Sequence, residues 1–94
     1  MIKILILEDN PLKADAIFNV VNQLGGCTFE IAPDVVTARR IMIKEFDLLI
    51  LDMNLPERFS EIPKKNIGLK FVEELKSSNR LKLPKHIIGL TEYD

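Results

Sequence analysis

The sequence holds one cysteine, Cys27, and one histidine, His86. A lone cysteine excludes an internal disulfide and suits a reducing cytosol. Set in an apolar stretch, Cys27 reads as a small core residue rather than a reactive thiol. There is no Cys/His set from which to build a zinc site. Long hydrophobic runs are missing too. The apolar start, Ile4 to Leu7, is far shorter than the roughly 20 residues of a membrane helix and runs straight into acids. It has neither the h-region nor the small-residue cleavage site of a signal peptide, so the expected location is cytoplasmic. Nor is there a charge excess: 13 basic and 14 acidic residues leave a formal net charge of −1. That balance argues against generic binding of nucleic acid or of a membrane surface. Repeats, linkers and low-complexity segments are absent.

What remains is a chain of 94 residues, 47% hydrophobic and 29% charged, which suits one globular domain covering 1–94. Its organising stretch is FDLLILDMNLP, Phe46 to Pro56. Phe46 to Leu51 is apolar apart from Asp47, as in a strand buried on both faces of a parallel sheet. The run stops at the carboxylate of Asp52, and Pro56 forbids a simple continuation of the ladder. Ile2 to Leu7 reads as a second buried strand, ending at Glu8 and Asp9. Asn10-Pro11 is a helix start, a capping side chain followed by a proline whose missing N–H is not needed there. Leu12, Ala16, Val20 and Leu24, with Ile17 and Val21 beside them, form the expected inward stripe, and Gly25-Gly26 ends it. Cys27 to Ala32 is a short strand whose looser alternation suggests a sheet edge.

Asp34 is the expected N-cap of the next helix, with Val35, Ala38, Ile41 and Met42 buried and Arg39, Arg40 and Lys44 outside. After the central strand, ERFSEIPKKN is polar and aperiodic, so it reads as a loop. Helix resumes near Ile67 with Leu69, Phe71, Val72 and Leu75 inward and ends around Ser77 to Asn79. Pro84 precedes a last strand, His86 to Leu90, which terminates at Thr91. Between Arg58 and Lys85 basic residues outnumber acids; a solvated helix face plus loop explains that more simply than an anionic partner. The order β-α-β-α-β-α-β demands a parallel sheet with right-handed crossovers and helices on both faces, an α/β doubly wound architecture.

In a parallel sheet every carboxyl end lies on one edge, where ligands bind. Three strands end there in Glu8-Asp9, Asp52 and Thr91. If the first and third strands are neighbours, Asp9 and Asp52 lie side by side. Two like charges about 4 Å apart repel by roughly 4 kcal/mol at an effective dielectric of about 20. Such a cluster either keeps a proton at a raised pKa or binds a cation. Carboxylates, a carbonyl and open water positions suit Mg2+.

ILILEDN, LLILDMNLP and IIGLT, in this order and at these spacings, resemble the receiver domain of two-component response regulators over nearly the whole chain. The resemblance implies a flavodoxin-like sheet in the order 2-1-3-4 and a phosphorylation switch rather than a turnover enzyme. It implies that Asp52 accepts a phosphoryl group from a histidine kinase or phosphotransfer protein. Asp9 would then bind Mg2+ directly, Glu8 through water and Asn54 through its backbone carbonyl. Thr91 would hydrogen-bond the phosphoryl group and report its presence.

The sequence departs from that family in several places. The family continues past the fourth strand to a fifth strand ending in a lysine; this sequence stops at Asp94 and reads as C-terminally incomplete. The fourth strand is therefore expected to expose an edge that invites self-association or a covering partner. Glu92 stands where the family has a small residue. The family's glycine follows the proline closely, whereas the nearest candidate here, Gly68, comes after the inserted loop 57–66, which either gates access, selects a partner or is neutral surface. His86 lies at the far end of its strand from the carboxylates, which suits a structural role, and Met42 and Met53 read as packing residues. Two rivals remain. One is a pseudo-receiver acting as a phosphorylation-independent interaction module. The other, a phosphatase of the haloacid dehalogenase type, is opposed by Asn54, where that family has a second Asp.

Overall fold

Four strands and three helices alternate along the chain: β1 (Ile2–Leu7), α1 (Pro11–Asn22), β2 (Cys27–Ala32), α2 (Val35–Ile41), β3 (Leu48–Asp52), α3 (Ile67–Ser77) and β4 (His86–Leu90). They are seen in a computed structural model that describes residues 1–58, 64 and 66–90. All strand pairs are parallel and the sheet order is β2-β1-β3-β4, the order that the resemblance implied. Strands β1 and β3 are buried on both faces, and their side chains divide by parity. Ile4, Ile6 and Ile50 face α1 through Ile17, Phe18 and Val21. Leu5, Leu7, Leu49 and Leu51 face α2 and α3 through Val35, Ala38, Phe71 and Leu75. Each such fully buried aliphatic contributes about 1.5–3 kcal/mol.

The local signals act as read. Asn10 Oδ1 accepts the Leu12 N–H at 2.9 Å, and Asp34 Oδ1 accepts that of Thr37 at 2.6 Å. Gly25 and Gly26 leave α1 at φ of +71° and +68°, which glycine adopts without a Cβ penalty. β2 lies at a sheet edge, with Phe29 edge-to-face against Phe18 of α1 at 5.0 Å.

Three expectations are corrected. On α1 the stripe Leu12-Ala16-Val20-Leu24 faces outward, with Leu12 80% and Leu24 79% exposed. Steps of four residues rotate by about 40° each, so that row spirals off the sheet. Ala14, Ile17, Phe18 and Val21, at steps of three and four, track the sheet instead. On α3, Leu69 is 45% exposed, and the inward row is Gly68, Phe71, Val72 and Leu75. β3 begins at Leu48 rather than Phe46: Phe46 is buried in the core, while Asp47 is tied to Lys3 through its N–H and its carboxylate. β4 is the most open of the strands beside β3, with His86, Ile88 and Gly89 exposed. It pairs with β3 alone among the described strands, at the opposite side from β2.

Of the inserted loop, residues 59–63 and 65 lie outside the described residues, as do Thr91 and Glu92. The loop closes at its base, where Lys64 N–H donates to the Leu55 carbonyl at 3.2 Å.

Candidate functional site

Register carries the site. β1 and β3 are paired with Leu7 opposite Leu51, so the residues that follow them leave the sheet together. Glu8, Asp9 and Asp52 thereby meet, with one carboxylate oxygen from each within 4.8 Å of the others. Glu8 is 3% exposed and Asp52 7%, while Asp9 is half-buried.

Each buried carboxylate is oriented by the backbone two residues on. Asp52 Oδ1 accepts the Asn54 N–H at 2.9 Å, and Glu8 Oε2 accepts that of Asn10 at 3.2 Å. The Asn10 bond favours the charged form of Glu8 but loses to burial, which removes solvation from the anion. A hydrogen bond with Asp9 and the negative charges of Asp52 and Asp9 push the same way as burial. The Glu8 carboxyl is raised from 4.5 to about 7. Three carboxylates gathered this closely, two of them buried, have an unmet demand for positive charge. An all-oxygen donor set of this kind fits a hard divalent cation, Mg2+ before any softer metal.

The other residues singled out in the sequence are distributed unequally. Asn54 stands beside the cluster and is exposed. Thr91 follows Leu90, which pairs with Asp52 across β3 and β4, but lies outside the described residues. His86 pairs with Leu48 at the opposite end of the sheet from the carboxylates. Met42 is fully buried, in keeping with a packing role. The Met53 side chain lies over Gly89, its sulfur 3.0 Å from where a Cβ would be.

Gly68 sits against the site although a long insertion separates it from Pro56. A Cβ there would stand 2.6 Å from the Asp52 carbonyl oxygen and 2.7 Å from Met53 Cα, and the Gly68 N–H donates to the Met53 carbonyl at 3.0 Å. Only glycine allows the first turn of α3 to rest on the strand end so closely.

Sequence reasoning missed Arg39. Placed on the solvated side of α2, it instead bridges two acids. Its Nε and NH2 hold both oxygens of Glu74 on α3, at 2.8 and 2.9 Å, and its NH1 holds Glu57 at 2.7 Å. The partners are 35 and 18 residues away in sequence, beyond any helical periodicity. The first free N–H groups of α2, on Val35 and Val36, donate to the carbonyls of Pro56 and Glu57.

No protein-family model matches the chain. An uncharacterised protein of Sinorhizobium fredii (strain NBRC 101917 / NGR234), y4jS, is 34% identical over 92 residues, 95% of this chain. The chain spans only 22% of that relative's length. Among solved structures, the N-terminal domain of a response regulator/sensory box/GGDEF 3-domain protein from Carboxydothermus hydrogenoformans is 27% identical. It superposes with a TM-score of 0.72 over 97% of this chain and 65% of its own. The MaeR response regulator bound to beryllium trifluoride gives a TM-score of 0.77 at 21% identity, covering all of this chain and 70% of that one. A CheY-like response regulator receiver domain from Methylobacillus flagellatus gives 0.75 at 20% identity, over 99% of this chain and 71% of its own. Sheet order, helix placement and these likenesses agree: the chain has the receiver-domain fold of two-component response regulators.

Proposed function

We propose that the chain is a phosphorylation switch in which Asp52 takes a phosphoryl group from the phosphohistidine of a histidine kinase or phosphotransfer protein. The observation that carries this reading is the meeting of Glu8, Asp9 and Asp52 at the carboxyl edge of the sheet. In the transfer a carboxylate oxygen of Asp52 attacks phosphorus, the P–N bond breaks, and the imidazole leaves with the bonding pair. The product is an acyl phosphate on Asp52.

An anionic donor approaching three acids is repelled. Glu8, Asp9, Asp52 and the Asn54 carbonyl would hold Mg2+, which would supply neutralising positive charge there. The residues of the chain do the rest. The Asn54 N–H fixes one oxygen of Asp52, which leaves the other to attack. Glu8 and Asp9 set the charge of the site. Thr91 reads the added phosphoryl group through its hydroxyl, a local change of charge able to bias a two-state surface. The chain is then a cytoplasmic signalling module rather than a turnover enzyme. Among the described residues no helix is long and apolar enough to cross a membrane.

Acetyl phosphate with Mg2+ tests the reading. The protein gains the mass of one phosphoryl group, labile to hydroxylamine, and Asp52→Asn gains none. Beryllium trifluoride, which the MaeR regulator binds, is the non-hydrolysable probe to try beside it. If the wild type takes no label from acetyl phosphate or any kinase, the chain is a phosphorylation-independent interaction module.

A further inference from the structure

We propose that Arg39 is a positioning residue for Asp52: acting through Glu57, it holds the loop whose Asn54 N–H orients the nucleophile. The consequence for phosphoryl transfer rests on the phosphoacceptor reading of Asp52; the holding of the loop does not.

The loop from Met53 to Glu57 is restrained at both ends by the chain's own backbone. Met53 N–H donates to the Leu90 carbonyl at 3.1 Å, and the Met53 carbonyl accepts from Gly68 at 3.0 Å. Further on, the carbonyls of Pro56 and Glu57 accept from Val35 and Val36 at 3.3 and 3.0 Å. In this frame the Glu57 side chain accepts from Arg39 NH1, its one side-chain partner among the described residues. The guanidinium is itself fixed by a two-point grip on Glu74. A planar fork gripped at two points cannot swing, so its third N–H presents a fixed position to Glu57. The three side chains are 30–39% exposed, so an isolated pair of this kind would contribute little to stability. Its effect lies in geometry. A tilt of the loop at Glu57 is passed along three peptide units to Asn54, and from its N–H to Asp52 Oδ1. Displacements well below an ångström matter for a nucleophile that must attack in line.

A merely structural Arg39 would tie α2 to α3 and leave Asp52 untouched. Glu57→Ala separates the two roles, because it leaves Arg39 NH1 no side-chain acceptor on the loop and keeps the grip on Glu74. Made in the full-length chain, it is expected to slow hydroxylamine-labile labelling by acetyl phosphate about tenfold at saturating Mg2+. It should also speed amide exchange at Asn54 and Leu55, with the melting temperature nearly unchanged. Arg39→Lys has one ammonium for two carboxylates and is expected to fall between. Glu30→Gln breaks the other ion pair of the α2 region, Lys44–Glu30 at 2.9 Å, and should leave labelling and exchange as in the wild type. Wild-type labelling and wild-type exchange in Glu57→Ala would overturn the proposal while leaving the phosphoacceptor reading intact. If the wild type takes no label yet Glu57→Ala still frees the Asn54 amide, the phosphoacceptor reading fails and the positioning role stands.

Discussion

Asp47 and Asp52 flank the same strand and have opposite surroundings. Asp47, at the entrance to β3, accepts the Lys3 N–H at 2.8 Å and pairs with Lys85 at 3.2 Å. Those partners hold its carboxyl below the usual range, the backbone bond first and Lys85 next. Asp52, at the exit, is buried beside two further acids, and the pressure appears on its neighbour Glu8, raised to about 7. A carboxylate with a cation and an amide to hand is a local staple. A group of carboxylates buried against one another stores an unfavourable charge that folding tolerates only if a proton, metal or donor relieves it. The two ends of β3 therefore separate an acid tied by its partners from an acid crowded by other acids within one stretch of sequence.

The largest expected effect breaks the symmetry outright. Asp52→Asn should abolish labelling by acetyl phosphate, whereas Asp47→Asn should label like the wild type in the same mass assay. Equal loss in both would mean that label reports folding and not the site.

The next effect is on stability against pH in the absence of Mg2+. The folded-state pKa of Glu8 lies above its unfolded value, so its contribution is fully present below about 4.5 and is lost as pH rises to about 7. A shift of that size corresponds to about 3 kcal/mol between the two limits. Denaturant titrations at pH 4.5 and pH 8 should show the fall, and Glu8→Gln should flatten it.

Somewhat smaller is the response to metal. At 100 times its dissociation constant a ligand specific to the folded state stabilises by about 2.7 kcal/mol. Mg2+ should raise the melting temperature accordingly, and Asp9→Asn should remove most of that rise. An unaltered response in Asp9→Asn would take Asp9 out of the site. The smallest effect belongs to the entrance carboxylate. Asp47→Asn should lower the melting temperature only slightly, and less at low pH, where the wild-type Asp47 loses its charge.

How much of this could be read from sequence depends on how far apart the cooperating residues lie. The alternation of strands and helices implied the parallel sheet, and the sheet places Glu8, Asp9 and Asp52 on one edge without further information. Each of those residues marks the end of an apolar run, a signal contained within a few positions. The buried face of α1 was misread because two apolar rows run along that helix. Which row faces the sheet is settled by Phe18 meeting Phe29, a tertiary contact. Leu69 was misplaced for a similar reason, since the glycine before it takes the position nearest the strand. Arg39 gave no local signal at all. An arginine beside another arginine on a short helix looks solvated until Glu57 and Glu74 are brought to it from elsewhere in the chain.

The bridge between Leu55 and Lys64 bears on how this chain can vary. The backbone departs from the site at one rung and returns at the partner rung, and Gly68 then docks on Asp52 and Met53 regardless of the path between. Length inside that excursion is thus uncoupled from the placement of Asp52. Doubling a flexible loop adds only about 0.6 kcal/mol of closure entropy. The excursion is accordingly a port for foreign sequence, where a peptide tag or reporter grafted beside Asp52 would leave the acid cluster assembled.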